Sequence, residues 1–359
     1  MGRRKLCGAG FKIWPWIFGC TKRNNYRVIN IMKLKKISVR FREMRSIYVG
    51  TKISFIRKLF YIVDYVFAFI IQGASISDYF AYGFYKLRYN GRKEYITYRR
   101  YHTIQNKCNK ISDRCLCREK NKFNTLFKDF LGRDWIDINN ASEIQFVSFC
   151  HKHSVIFIKE INGYRGIGTR KIETKKLNVK DLYDELVSDV NSHYIAEEQI
   201  TQIRELADFH PWSINTIRIV TVYDTKNNEV HIMNARLRMG NKKNSVDNFH
   251  FDGIGANINI ETGIIDTIGY DVHNNVYLTH PITGKQIIGF QIPYWEECKS
   301  FVYRAAKHIP TVRYIGWDVV IQDGGRFLLI EGNDNADHDF QQLHNCGLWR
   351  QYQSIIKEL

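Results

Sequence analysis

GWDVVIQDGGRFLLIEGNDN, residues 316–335, reads as two runs of apolar, β-favouring residues on either side of Asp323, Gly324 and Gly325. That turn signal predicts a hairpin. Asp318 falls on its first strand, and Glu331 and Asn333 fall at the end of its second. Residues two apart on a strand share a face, so Glu331 and Asn333 point the same way, and the hairpin can bring Asp318 beside them. Three oxygen ligands that converge with no cationic neighbour repel one another unless a cation sits between them. Mg²⁺ shared with a nucleotide phosphate suits such a set, because it keeps few protein ligands and takes the rest from phosphate and water. A polar hairpin end without a metal is the alternative.

Upstream, VIFIKEINGYRGIGTRKI (155–172) is a strand carrying Lys159, then a loop with Gly163, Gly166 and Gly168, then a second strand-like run. Glycines let backbone amides approach a phosphate and an ammonium neutralises it, although a structural hairpin explains the loop equally well. In YIAEEQI (194–200), Glu197 and Glu198 end an apolar strand, either as solvated acids or as a hinge whose backbone and carboxylates meet an adenine amino group and a ribose hydroxyl. Arg218 and Arg238 lie in strand-like runs among apolar neighbours. An arginine held on a buried face needs an anionic partner, either a phosphate or a structural carboxylate. DNFHFDGIGANI (247–258) adds Gly253 and Gly255, where backbone can again approach a ligand closely.

Outside these motifs the charge is uneven. Residues 1–120 carry 27 basic and 6 acidic side chains, a net +21, whereas residues 121–359 carry 26 and 30, a net −4. Hydrophobic residues make up 44% of the chain and Pro only 5 of 359, which excludes a disordered or collagen-like chain. The eight cysteines show no framework spacing, and Cys108, Cys115 and Cys117 lack the paired C-x-x-C pattern of a zinc site. Residues 1–50 read as a basic arm and residues 51–120 as mainly helical, while the rest reads as an α+β domain of mostly antiparallel sheets. The opening MGRRKLCGAGFKIWPWIFGC resembles a signal peptide, but Lys12 and Pro15 interrupt it, so export is not expected. In ISFIRKLFYIVDYVFAFIIQGASIS (53–77) the longest uncharged run is 13 residues. That is short of the roughly 20 a membrane span needs. A buried core helix is the plain expectation there; a helix lying in a lipid interface is the other.

The order Lys, Gly-rich loop, acidic hinge, Arg strands, Gly loop and Asp…Glu-x-Asn resembles the ATP-grasp superfamily, and specifically the sugar-transfer-associated ATP-grasp family, which is similar to α-L-glutamate ligases. The resemblance covers roughly residues 75–350 and implies an α+β fold whose two lobes grip ATP. It places the ATP-grasp domain at 121–359, with a small nucleotide lobe about 140–200 and a large metal lobe about 205–350. It implies that Lys122 and Lys159 are the nucleotide lysines, that Gly163, Gly166 and Gly168 cover the phosphates, and that Glu197 and Glu198 form the hinge, with Glu205 a candidate for the ribose. Arg218 and Arg238 would face the transferred phosphoryl and the acceptor. Asp318, Glu331 and Asn333 would hold one or two Mg²⁺ ions, with Mn²⁺ as a substitute. Two departures stand out: NDNADHDFQQ replaces the usual small residue, Pro and Gly after the Asn, and the Gly-rich loop carries Tyr164 and Arg165.

The implied activity is ATP-dependent carboxylate–amine ligation through an acyl phosphate, in cell-surface polysaccharide or glycan biosynthesis, with an acidic sugar and an amino acid as possible substrates. No residue stands out as the general base, and a structural role is the plainer one for His250. The alternatives are an ATP-grasp kinase acting on a hydroxyl, and a non-catalytic membrane- or polyanion-binding protein with a vestigial nucleotide site. The scattered cysteines and the interrupted opening segment lead to an expectation of cytoplasmic placement, and the charge division to one of residues 1–120 docking on anionic lipid or a polyanionic acceptor; no nucleic-acid module is recognisable.

Overall fold

The computed structural model describes residues 23–163, 168–242, 252–342 and 347–359, with side chains from residue 35 onward. The chain divides into residues 1–43 and residues 44–359. The first unit holds most of a helix, Arg23–Tyr48.

Two antiparallel sheets organise the second unit. The smaller has the order β1-β4-β2-β3, from β1 (Trp135–Asp137), β2 (Val155–Glu160), β3 (Arg170–Glu173) and β4 (Tyr194–Glu198). The larger has the order β11-β10-β5-β6-β7-β8-β9, from β5 (Ile217–Asp224), β6 (Glu229–Met239), β7 (Ile254–Asn257), β8 (Gly269–Tyr270), β9 (Val276–Tyr277), β10 (Tyr314–Gln322) and β11 (Arg326–Asn333). Two helices, Val179–Ser188 and Trp295–Lys307, accompany the sheets, the second with Glu296 and Glu297 in its first turn, where carboxylates oppose the helix dipole favourably. The architecture is α+β, as the patterning predicts.

Alternation along the strands separates two cores. Ile217, Ile219, Ala235, Leu237, Trp317 and Val319 fill one face of the large sheet and pack with Phe301, Val302 and Ala305 of the helix Trp295–Lys307. On the other face, Val220, Val222, Met233 and Tyr314 pack with Tyr101, Ile104 and Cys108 of the helix Tyr98–Cys108 and with Tyr352 and Ile356 of the last helix. Cys117 belongs to the first core, so Cys108 and Cys117 lie in separate apolar clusters. Burial pushes the Cys108 thiol up to about 11 and raises that of Cys117 further.

The helix Phe55–Gln72 departs from the expectation of a buried core helix. Ser54 caps its start and Gly73, at φ 68°, ends it, so its limits are local. Its buried residues are only Tyr61, Ala68 and Gln72. No described helix is long and apolar enough to cross a membrane.

His338 ties the C-terminal segment to the N-terminal helices. Its ring stacks on Tyr101, and its Nε2 donates to Asp78 Oδ1 at 3.0 Å. Burial alone would lower its pKa, but hydrogen bonding to Asp78 and that carboxylate's charge outweigh burial and raise it. A raised imidazole stabilises the fold below its unfolded pKa near 6.5 and stops doing so as pH rises through the folded value. Thermal unfolding followed from about pH 6 to 9 is therefore expected to show stability falling on the alkaline side, and His338→Gln should flatten that fall.

Candidate functional site

A single polar row crosses the large sheet. Glu331 on β11 pairs with Asp318 on β10, Asp318 with Arg218 on β5, Arg218 with Arg236 on β6, and Arg236 with Asn257 on β7. Directly paired residues share a face, so five strands project one polar side chain each to the same side. The intervening positions, Trp317, Ile219 and Ala235, face the core. Arg238 lies two residues beyond Arg236, opposite Gly255. Gly332 has a packing reason of its own: a Cβ there would lie 2.9 Å from Phe123 and 3.0 Å from Trp317.

The expectation of acids without a cationic neighbour does not hold for Asp318. It is buried, and accepts from Arg218 Nη2 at 2.9 Å and from Arg238 Nη1 at 2.9 and 3.1 Å. Burial alone would raise its pKa; the two guanidinium charges outweigh that and hold it at about 2. Glu331 goes the other way. Partial desolvation and the adjacent charge of Asp318 raise it against the pull of Arg218, and it shares a hydrogen bond with Asp318. Asn333 Nδ2 donates to Glu331 Oε1 at 2.9 Å. The three predicted ligands are thus contiguous, and all are hard oxygen donors. The donor set fits Mg²⁺, because a divalent ion among these oxygens would offset the repulsion between the Asp318 and Glu331 carboxylates.

The second group of site residues forms around Glu197 on β4. This carboxylate is buried and accepts from Lys159 at 2.6 Å, Arg133 at 2.8 Å and Asn124 at 2.9 Å. Burial would raise its pKa, and the charges of Arg133 and Lys159 instead lower it far below the usual carboxylate range. Solvated acids are therefore not what ends β4. Arg133 also donates to the backbone carbonyls of Leu329 and Ile330 at 2.5 and 3.2 Å, so one guanidinium joins β4 to β11 and fixes the two sheets together. Glu198 accepts from the Asp134 amide at 2.8 Å. Among the described residues, Asp134, His153 and Glu198 come within 4.8 Å of one another, but the ammonium of Lys152 already sits on Asp134. Glu205 is exposed on the short helix Arg204–Ala207, where its carbonyl accepts from Lys285 at 2.8 Å.

Two lysines share the helix Lys120–Leu126. Lys122 pairs with Glu119 at 2.7 Å. Lys120, which sequence reading passed over, donates to the carbonyls of Glu160 and Gly163 at 2.9 and 2.5 Å, against the Gly-rich loop. Burial lowers its pKa, and it lies within the fields of Glu331, Lys159 and Glu197. Gly168 has φ 76°, a left-handed conformation that favours glycine. Gly166, Tyr164, Arg165, Asn248 and His250 fall outside the described residues.

The chain after Asn333 is held from the N-terminal side. Asp334 is buried and accepts from Arg118 Nε at 2.9 Å and Nη2 at 2.8 Å, while its carbonyl accepts from Gln105 and Asn109 at 3.1 Å each. Asp334, Asn124 and Arg133 have no role assigned to them by the sequence pattern; each is a single polar residue whose partners lie far along the chain.

A model of the family described as sugar-transfer associated ATP-grasp matches residues 92–357. No curated protein matches the sequence. Solved structures similar to the chain include the ATP-grasp ligase PsnB complexed with minimal precursor, Mg and ADP, at 16% identity over 70% of this chain and 62% of that one, with TM-score 0.40. They also include the D-cycloserine synthetase DcsG, at 8% identity over 67% and 70% with TM-score 0.43, and biotin carboxylase from Campylobacter jejuni, at 13% over 68% and 47% with TM-score 0.44. The chain spans about three fifths of the length of PsnB. At these scores the structural likenesses carry no argument about activity.

Proposed function

Because this chain belongs to the sugar-transfer associated ATP-grasp family, we propose that it is an ATP-dependent ligase joining a carboxylic acid to an amine through an acyl phosphate. The observation that carries this reading is the row Glu331, Asp318, Arg218 and Arg236, which sets metal-type oxygen donors directly beside cations on one sheet face. We assign ATP to the space between a small lobe, about residues 140–200, and a large lobe, about 205–350, within a domain at 121–359. Lys159, Lys120 and Lys122 neutralise phosphate charge, and Gly163, Gly166 and Gly168 let loop amides approach the phosphates. Glu197 and Glu198 offer the hinge backbone to adenine, with Glu205 as the candidate for ribose. Asp318, Glu331 and Asn333 would hold one or two Mg²⁺, or Mn²⁺ in its place, and the metal would supply charge withdrawal from the β- and γ-phosphates.

The substrate carboxylate attacks the γ-phosphorus in line as the bond to the ADP oxygen breaks, giving an acyl phosphate. Arg218 faces the transferred phosphoryl group. The amine then attacks the acyl carbon, its proton passes to solvent, and the C–O bond to phosphate breaks. Arg238 and the amides of residues 253–255 stabilise the oxyanion of that step. Both arginines donate to Asp318, which fixes their guanidinium groups on the sheet face where the anionic ligand would lie. An acidic sugar and an amino acid are the substrates this family suggests, in cell-surface polysaccharide assembly at the cytoplasmic face of the membrane.

With ATP and Mg²⁺, purified protein is expected to release ADP only when a carboxylate from a panel of sugar acids and amino acids is added, and hydroxylamine should trap a hydroxamate. Transfer of phosphate to a hydroxyl would replace the ligase with a kinase. Nucleotide binding without turnover on any acceptor would favour a vestigial site.

A further inference from the structure

The helix Phe55–Gln72 is built inside out. Its protein-facing stripe is Tyr61, Asp64, Tyr65, Ala68 and Gln72, spaced as one helical face, and includes its only acid. Asp64 is neutralised inward by Arg92 at 2.7 Å and accepts from the Tyr79 hydroxyl at 2.7 Å. The outward side, by contrast, is apolar. Ile56 is 79% exposed, Val63 62% and Ile70 61%, and these three recur every seven residues along one line. Leu59, Phe60, Val66 and Phe67 flank them and are also exposed.

We propose that this helix docks the protein on an anionic lipid bilayer, lying in the plane of the headgroup layer. Three features select lipid over a protein partner. The stripe held by the rest of the protein covers about one quarter of the circumference at 3.6 residues per turn, so the apolar surface wraps most of the helix. A flat partner covers one side of such a cylinder, whereas a headgroup layer that takes in roughly 5–10 Å of a helix about 10 Å wide covers nearly all of it. The charge is also complementary. Lys52, Arg57 and Lys58 are exposed at its start, and Lys86 lies over Tyr85, whose ring meets Tyr61. Arg99 is exposed at its end, donating to the carbonyls of Ile70 and Ile71. Residues 44–120 carry 15 basic and 5 acidic side chains, so the sign of the whole region agrees. Finally, the outward apolar side chains end at an open surface groove of about 540 Å³ lined by Phe69, Ile70, Gly73, Tyr98, Arg99 and His102, a combination of apolar wall and cation that suits a lipid headgroup region.

This placement is independent of the ligase reading. The full-length chain is expected to co-sediment with vesicles of phosphatidylcholine and phosphatidylglycerol in equal parts, and several-fold less with phosphatidylcholine alone. Val63→Glu and Phe67→Glu change side chains that already face solvent, so circular dichroism should stay unchanged while vesicle binding falls at least about tenfold. Arg57→Gln combined with Lys58→Gln should reduce the preference for anionic vesicles by about fivefold per charge and flatten its salt dependence. Undiminished binding by both glutamate variants would overturn the proposal. So would an absence of vesicle binding alongside a concentration-dependent dimer that those same variants split, since a second copy would then cover the helix.

Discussion

Asp318→Asn is expected to reduce ATP turnover at least about a thousandfold and to lower stability by about 3–5 kcal/mol. Both effects come from one carboxylate. Asp318 compensates Arg218 and Arg238, all three side chains being less than a tenth exposed, and the amide removes the buried counter-charge that the two guanidinium groups share, leaving Arg218 only the longer pairing with Glu331 at 3.9 Å. Breaking a buried ion pair by removing one partner costs far more than the pair contributes, because the remaining charge stays desolvated. The same variant removes a ligand from the proposed Mg²⁺ set, and that loss accounts for the turnover. The sign with pH is defined. A carboxyl depressed from 3.8 to about 2 contributes stability that is full above its unfolded value and is lost as pH falls through about 2, so Asp318→Asn should blunt the acid limb of the unfolding profile.

Glu331→Gln separates the two effects. Glu331 is raised by partial desolvation and by the charge of Asp318, so its ionisation opposes folding at neutral pH, and its side chain remains two-fifths exposed, which tempers the penalty. Removing the charge should leave stability unchanged or improve it by a few tenths of a kcal/mol, about 0.2–1 at most, while Mg²⁺-dependent turnover is lost. Urea unfolding beside an ADP-release assay reads both. If both variants turn over normally, Asp318 and Glu331 do not hold the metal.

Glu197→Ala is expected to cost about 3–5 kcal/mol, since it strands Arg133 and Lys159 together in a buried site and strips Asn124 of its acceptor. Because Arg133 also spans from β4 to the β11 carbonyls, the loss should reach the docking of the two sheets as well as one strand. Lys159→Met is the contrast. Glu197 keeps Arg133, so stability should fall by no more than about 1–2 kcal/mol, while ATP affinity, measured by calorimetry, should weaken tenfold or more. Equal destabilisation by the two substitutions would show that Lys159 is a structural cation rather than one available to phosphate.

Local pattern specified a good deal. The hairpin of β10 and β11, with its turn at Asp323–Gly325, follows from apolar runs flanking Asp-Gly-Gly, and the period of two puts Glu331 and Asn333 on one face wherever that hairpin sits. The helix Phe55–Gln72 was equally legible as a helix, because its cap, its apolar content and its terminal glycine are neighbours in the chain. What surrounds such elements was not. Periodicity tells which residues share a face but not whether protein or solvent lies there, and so the helix expected in a core stands with its apolar side outward. The choice between Lys120 and Lys122, two residues apart, depends on which of them meets the loop after β2. The cations on Asp318 come from positions 100 and 80 residues earlier, brought opposite it by the register of β10, β5 and β6. Register across a sheet is settled by the packing of both faces at once, and a single stretch of sequence contains only its own side of that pairing.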